Sequence, residues 1–506
     1  MRDQVALPKR MLIDGKLVEA ERTYPSVNPA TGEVLGHAPD ASVADADAAI
    51  AAARRAFDTT SWAADVELRT RCLNQLHQAL TEHKEELREL TIADVGAPRM
   101  ITYGAQLDEP IGIVRYYADL LPGYPLTEDL GLLEFRGQQH RRWVEKEAAG
   151  VVAAIIGYNY PTQLALAKLA PALAAGCTVV LKAAPDTPLI TLALAELIAT
   201  CTDIPPGVVN VVSSSSVAVG EALTASPDVD VVTFTGSTAT GRRIMAAASD
   251  TVKRVFLELG GKSALVVLDD ADVAAPAMVA VFGVCSHAGQ GCAIPSRMVV
   301  PRDQHDAIAA RVAAMLAQVT CGDPLDAKNY MGPLISERQR DKVDGLVQRA
   351  VSAGATLVTG GVRVDGPGFF YAPTLLTNVD PDSEIAQEEV FGPVLVLIAH
   401  DGDDDAVRIA NNSIYGLSGS VYSGDADRAL AVSRRIRAGT ISVNGGAWFG
   451  PDVPFGGYKQ SGVGREMGAA GLEEFLETKS LATPVAAVAA APAASPSTPA
   501  ASQATS

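Results

Sequence analysis

The stretch VVAAIIGYNYPTQLALAKLAPALAAGCTVVLK, Val151 to Lys182, decides the fold. Hydropathy alone would make it a membrane span. Pro161, Lys168 and Pro171 interrupt it, as do Asn159 and Gly176, and a single helix in lipid tolerates these poorly. Strand, turn, helix, turn, strand is the better reading. VVAAII is a short apolar run suited to a strand buried on both faces. PTQLALAKLAPALAAG is a helix entered through Pro161 and stopped near Gly176. TVVLK, ending at Lys182, is the next strand.

Downstream the alternation continues. TPLITLALAELIATC reads as a helix, PPGVVNVVS as a strand, VAVGEALTAS as a short helix and VDVVTFTGS as a strand. TATGRRIMAAAS is a helix and VKRVFLELGG a further strand. The pattern predicts an α/β fold with a parallel sheet covered by helices on each side. Ligands then bind beyond the carboxyl ends of the strands. After SALVVLDDADV a second α/β region begins, with helices at about 271–287, 303–319 and 336–353 and strand-like SRMVVP and PVLVLIAH. Helical spacing also runs from Ser42 to about Met100. GLLEFRGQQHRRWVEKEAAG, Gly131 to Gly150, reads as a hairpin leaving the main body, and an exposed hairpin needs a pairing partner such as a second subunit. From Thr483 the chain is rich in Ala, Pro and Ser, and disorder is expected.

The bulk numbers bound the answer. A chain of 506 residues implies two or three domains. A net charge of −18 disfavours nucleic-acid binding, because a phosphate backbone repels such a surface. Six cysteines are too sparse for a disulfide scaffold, and no CxxC occurs. The opening MRDQVALPKRMLIDG has no apolar signal region, so a cytoplasmic location is expected.

Six positions at five places in the chain invite chemistry, each place with a plainer alternative. Gly236 and Ser237 join a strand to a helix N-terminus, which suits a pyrophosphate, although GSTATG lacks the middle glycine of GxGxxG and is equally a simple turn. Lys182, at a strand's carboxyl edge, reaches a ribose or phosphate, or is a solvated strand end. Glu258 in LELGGK is a proton acceptor if partly buried, or a cap. Asn159 in GYNYP is an oxyanion donor or a turn asparagine. Cys292, in SHAGQGCAIPSR, has small neighbours that leave room for a substrate, so a nucleophile is favoured over a packing residue. Cys285, His287 and Cys292 fit no zinc spacing, so no metal is expected.

Together and in this order the segments resemble the aldehyde dehydrogenase superfamily, from about Leu12 to about Lys479. NPATGE, GYNYP, KLAPALAAGCTVVLK, PPGVVNVV, VTFTGSTATG, LELGGKS, GQGCAIPSR, QEEVFGPVL and PFGGYKQSGVGRE carry the likeness. The resemblance implies a Rossmann-like cofactor domain (1–130 and 148–258), an α/β catalytic domain (259–440) and a small β oligomerisation element (131–147 with 441–482); the Ala/Pro/Ser tail at 483–506 is not part of the family pattern. It implies oxidation of an aldehyde to a carboxylic acid, with hydride passing to NAD, or NADP, through a cysteine thiohemiacetal and thioester. Cys292 is then the nucleophile, Glu258 the general base and Asn159 the oxyanion donor. Ile156, Tyr158, Lys182, Gly220, Gly236, Ser237, Leu259, Glu389 and Phe391 are implied cofactor contacts. Tyr160, Trp448, Phe449 and Phe455 are implied to line an apolar substrate entrance. A homodimer or homotetramer is implied, with neither nucleic acid nor membrane as partner. One departure concerns the cofactor: Pro185 stands where many members carry a glutamate for the adenosine ribose. Two other readings stay open: a CoA-acylating semialdehyde dehydrogenase, which would not need Glu258, and a non-catalytic structural or binding member.

Overall fold

Apolar runs with no polar face cannot lie at a surface, so they pair side by side in the interior. The computed structural model describes residues 7–485 and places Val151–Ile155, Thr178–Lys182, Val209–Val212, Val231–Thr235 and Arg254–Glu258 as parallel neighbours. They form the centre of an eight-stranded sheet. From edge to edge it runs Gly462–Val463, Arg254–Glu258, Val231–Thr235, Val151–Ile155, Thr178–Lys182, Val209–Val212, Met11–Ile13 and Lys16–Val18. The helix between the first two segments of the opening stretch spans Pro161–Ala175, with Pro161 in its first turn and Gly176 left-handed at its end. Its residues from Leu164 to Ala175 are all buried, which is why the segment mimics a membrane span. Among the described residues no helix is long and apolar enough to cross a membrane.

A second, seven-stranded sheet begins directly after the first. Its order is Thr356–Thr359, Thr374–Thr377, Val394–His400, Pro295–Pro301, Ser263–Val267, Ser418–Tyr422 and Thr440–Val443, parallel except at the first pair. Each sheet has its own apolar core. The helices anticipated in this half are Ala274–Cys285, His305–Leu316 and Glu337–Ser352. The first is shorter than its periodicity suggests, because the chain turns left-handed at His287 and Ala288.

The hairpin pairs Thr127–Phe135 with Gln138–Ala148 around Arg136 and Gly137, both at positive φ, the conformation that matches strand twist in a two-residue turn. Leu476–Pro484 adds a third strand. Two expectations are corrected here. The segment 441–482 is not one bridging element: Thr440–Val443 edges the second sheet, Gly462–Val463 edges the first, and only Leu476–Pro484 joins the hairpin. Gly462 makes the middle step possible, since any Cβ there would run into the Leu257 carbonyl. The tail does not begin at Thr483, because Thr483 and Pro484 still pair with Arg141 and His140. The rest of the expected tail, 486–506, lies outside the described residues.

Candidate active site

Glu258 is the last residue of its strand and is only 1% exposed. The two glycines after it thread a narrow gap. A Cβ on Gly260 would stand 2.5 Å from the Glu389 carboxylate, and one on Gly261 would run into the Cys292 carbonyl. Only glycine fits. The Gly261 N–H also donates to Glu389 Oε1 at 2.9 Å. One dipeptide therefore brings Glu258, Glu389 and Cys292 together.

Cys292 follows the helix Ala274–Cys285 through a turn in which His287, Ala288 and Gly289 all have positive φ. Each of the two non-glycine residues costs about 1 kcal/mol there. Gln290 holds the turn: its Nε2 donates to the carbonyls of His287 (3.1 Å) and Pro333 (3.3 Å), and its Oε1 accepts from the Ile335 N–H at 2.9 Å. The Gln290 carbonyl in turn accepts from Asn159 Nδ2 at 3.0 Å. Gln106 Nε2 donates to the Asn159 carbonyl at 2.8 Å. Asn159 is thus fixed at both ends, its side chain by Gln290, which stands two residues before Cys292, and it has a second amide N–H to give.

Burial and charge set the proton affinities. Cys292 keeps part of its surface open. Desolvation of its sulfur, then the negative charge of Glu258, push the thiol well above its ordinary range. Burial, then the charge of Glu466, raise the Glu258 carboxyl well above the usual carboxylate range, while Lys168 and the facing Cys292 thiol pull it down. Both Glu258 oxygens lack a hydrogen-bond partner. Behind them lies a buried ion pair, Lys168 with Glu466. A carboxyl that is desolvated and elevated binds a proton more readily than a free carboxylate and so suits a general base.

The implied cofactor contacts border the same sheet end. Lys182 ends its strand, and burial lowers its ammonium to about 8. Its Nζ has only long bonds, to the carbonyls of Ala183 (3.3 Å) and Ser214 (3.4 Å). Ser237 caps the helix Thr238–Ala248, and the Gly236 N–H donates to the Glu258 carbonyl at 3.1 Å. At Gly220 a Cβ would meet nothing within 4 Å, so the surface there is open. The Tyr158 and Phe391 rings meet edge-on at 5.8 Å. Phe391 is left-handed, and its carbonyl accepts from Gln339 Nε2 at 2.8 Å. Ile156 and Leu259 are buried, and Leu259 packs over Gly241.

Of the implied entrance residues, Trp448 stacks on Phe455 (5.9 Å, 8° between planes) and meets Phe449 edge-on. Tyr160 meets His287 edge-on at 5.4 Å. Tyr160, Cys292 and Trp448 pack against the same apolar core. Among the described residues no group of three His, Cys, Asp or Glu is placed to hold a metal. Gln106, Gln290 and Glu466 gave no signal in the sequence reading, His287 was weighed there only as a metal ligand, and Lys168 only as a charge interrupting an apolar run; its burial in the helix is what requires a partner.

The chain matches the aldehyde dehydrogenase family model over residues 17–481. It is 39% identical over 480 residues to the 3-succinoylsemialdehyde-pyridine dehydrogenase of a Pseudomonas species, covering 94% of this chain and 98% of that one. The betaine aldehyde dehydrogenase of Bacillus subtilis is 37% identical over 481 residues, with 94% and 97% covered. Among solved structures, aldehyde dehydrogenase C of Pseudomonas syringae, a cysteine-to-alanine mutant with NAD+ and octanal, superposes with a TM-score of 0.88 at 40% identity, covering 94% of this chain and 96% of that one. The NAD+ complex of a Bacillus cereus aldehyde dehydrogenase reaches 0.91 at 35% identity, with 94% and 96% covered. With a matching model across nearly its whole length and relatives this similar, the chain belongs to the aldehyde dehydrogenase family.

Proposed function

We propose that this protein oxidises an apolar aldehyde to its carboxylic acid with NAD as hydride acceptor. The observation that carries this reading is the enclosure of Cys292 by an unpartnered Glu258 carboxyl and, through Gln290, by the Asn159 amide. The aldehyde approaches the open side of Cys292. Once the thiol proton has passed to solvent, the Cys292 thiolate adds to the carbonyl carbon as the C=O electron pair moves to oxygen. The free N–H of Asn159 and the backbone N–H of Cys292 stabilise that oxyanion. A bound nicotinamide supplies the hydride acceptor that turns the adduct into a thioester. Glu258 then takes a proton from the attacking water, the C–S bond breaks, and acid leaves. A base so poised serves hydrolysis, which disfavours transfer of the acyl group to CoA and equally a role without turnover.

The residues present fit the dinucleotide. Gly236 and Ser237 open a helix N-terminus, Gly220 borders open space, and Lys182 has no strong partner. Glu389 is held by Gly261 and suits the nicotinamide ribose, with Phe391 beside the ring. The first sheet with its helices is read as the cofactor domain and the second as the catalytic domain. The stacked Trp448 and Phe455 support an uncharged substrate such as a medium-chain aliphatic aldehyde, in keeping with the octanal held by the Pseudomonas syringae relative. The exposed apolar hairpin supports a homodimer or homotetramer.

The test is a kinetic panel of aliphatic, aromatic and cationic aldehydes with NAD, with NADP, and with NAD plus CoA. Octanal with NAD is expected to give the highest kcat/KM, and CoA to change nothing. Cys292→Ser should lose about a thousandfold or more in turnover. NADH formation undiminished in that variant would end the reading.

A further inference from the structure

His287 is the outlier among the buried groups around Cys292. It is fully buried, yet neither ring nitrogen has a hydrogen-bond partner. Its backbone is left-handed (φ 47°, ψ 37°), which a bulky side chain adopts only when its surroundings hold it. Its ring lies edge-on to Tyr160, the residue after Asn159, at 5.4 Å. The imidazole also faces the Asn159 backbone, close enough to favour its protonated form against the larger effect of burial, but without completing a hydrogen bond. Its own carbonyl accepts from the Gln290 backbone N–H (3.1 Å) and from Gln290 Nε2 (3.1 Å). The Gln290 carbonyl is the acceptor for the Asn159 amide. His287 therefore meets Asn159 by two routes: its ring lies between the Asn159 backbone and the Tyr160 ring, and its carbonyl anchors the residue that holds the Asn159 side chain.

We infer that His287 is a positioning residue for the Asn159 amide, fixing where that donor stands relative to Cys292 while touching neither substrate nor cofactor. The inference rests on the oxyanion role proposed for Asn159. It predicts a split between two reactions of the same thiol. Alkylation of Cys292 by iodoacetamide creates no oxyanion and needs no amide donor. Acylation by p-nitrophenyl acetate passes through a tetrahedral oxyanion and needs it, without cofactor.

Four variants of the full chain decide the matter: Asn159→Ala, His287→Asn, His287→Phe and Asn159→Ala with His287→Phe. Asparagine tolerates the left-handed backbone, which keeps one variant free of backbone strain. Phenylalanine keeps a flat ring for Tyr160 but is bulkier than imidazole in a fully buried site and takes the left-handed backbone poorly, so it displaces the Asn159 segment the ring lies against. Removing an oxyanion donor outright costs about a hundredfold, so Asn159→Ala should slow acylation by about that factor. His287→Phe should slow acylation by about tenfold, a fraction of the donor's whole effect. Both should leave the alkylation rate unchanged, and the double variant should be no slower than Asn159→Ala alone, because residues acting through one group are not additive. His287→Asn should fall between parent and His287→Phe. Parallel loss of alkylation and acylation, additive losses in the double variant, or parental acylation in both His287 variants would overturn the inference. Parental acylation in Asn159→Ala would overturn the oxyanion reading beneath it.

Discussion

At Cys292 the two largest effects opposing the thiolate are loss of water, which comes first, and the negative charge of Glu258. Glu258→Gln removes only the second. Wherever the parent's Glu258 is ionised, its charge disfavours loss of the thiol proton, so removing it lowers the thiol's pKa. The pH midpoint of Cys292 alkylation should therefore move to lower pH in Glu258→Gln, while steady-state turnover falls by about 10²–10⁴-fold for want of a base. A midpoint moving to higher pH would show that the carboxylate activates the thiol in the resting enzyme. The cofactor site offers a second residue-scale expectation. Pro185 is exposed and carries no charge to repel a 2′-phosphate. Pro185→Glu should raise the NAD over NADP ratio of kcat/KM by about tenfold, one charge pair's worth in a partly solvated site. Cys292 and Glu258 were legible as candidates because their small neighbours mark close approach, and Asn159 because it follows a buried strand. Gln106 and Gln290 were not, since a glutamine that works through bonds to distant carbonyls has no local pattern.

The hairpin shows how an element without a core of its own declares a partner. Leu132 (62% exposed) and Phe135 (55%) stand out on Thr127–Phe135, with Leu130 and Leu133 also exposed. Apolar side chains gathered on one exposed ribbon favour association, at about 25 cal/mol for each Å² they bury. Under the proposed assembly the parent sediments as a dimer or tetramer, and Leu132→Asp with Phe135→Asp should sediment as a smaller species. Unchanged sedimentation would mean that subunits meet elsewhere. The hairpin and the central parallel strands were legible because each is paired to near neighbours and patterned accordingly. The division of 441–482 between both sheets was not. It depends on Gly462 lying against the Leu257 carbonyl, a contact between residues far apart in sequence.

Across the whole molecule, the Lys168–Glu466 pair joins the opening stretch's helix to the C-terminal segment, 298 residues away. Glu466 also exchanges backbone hydrogen bonds with Phe455, so the pair connects the core of the first sheet to the aromatic cluster. Removing one partner leaves the other buried and uncompensated, which costs about 3–5 kcal/mol, whereas removing both is far less harmful. Lys168→Met should lower the denaturation midpoint markedly, and Lys168→Met with Glu466→Leu should recover much of the loss. The pair also acts on Glu258, with opposite signs: Lys168 lowers its proton affinity and Glu466 raises it. Lys168→Met should therefore shift the acid limb of thioester hydrolysis to higher pH, because the base stays protonated longer. Glu466→Gln should shift it to lower pH. The two displacements are read from the pH dependence of acyl-enzyme breakdown after a single turnover. If both variants move the limb the same way, the pair reaches Glu258 through altered packing and not through its charges.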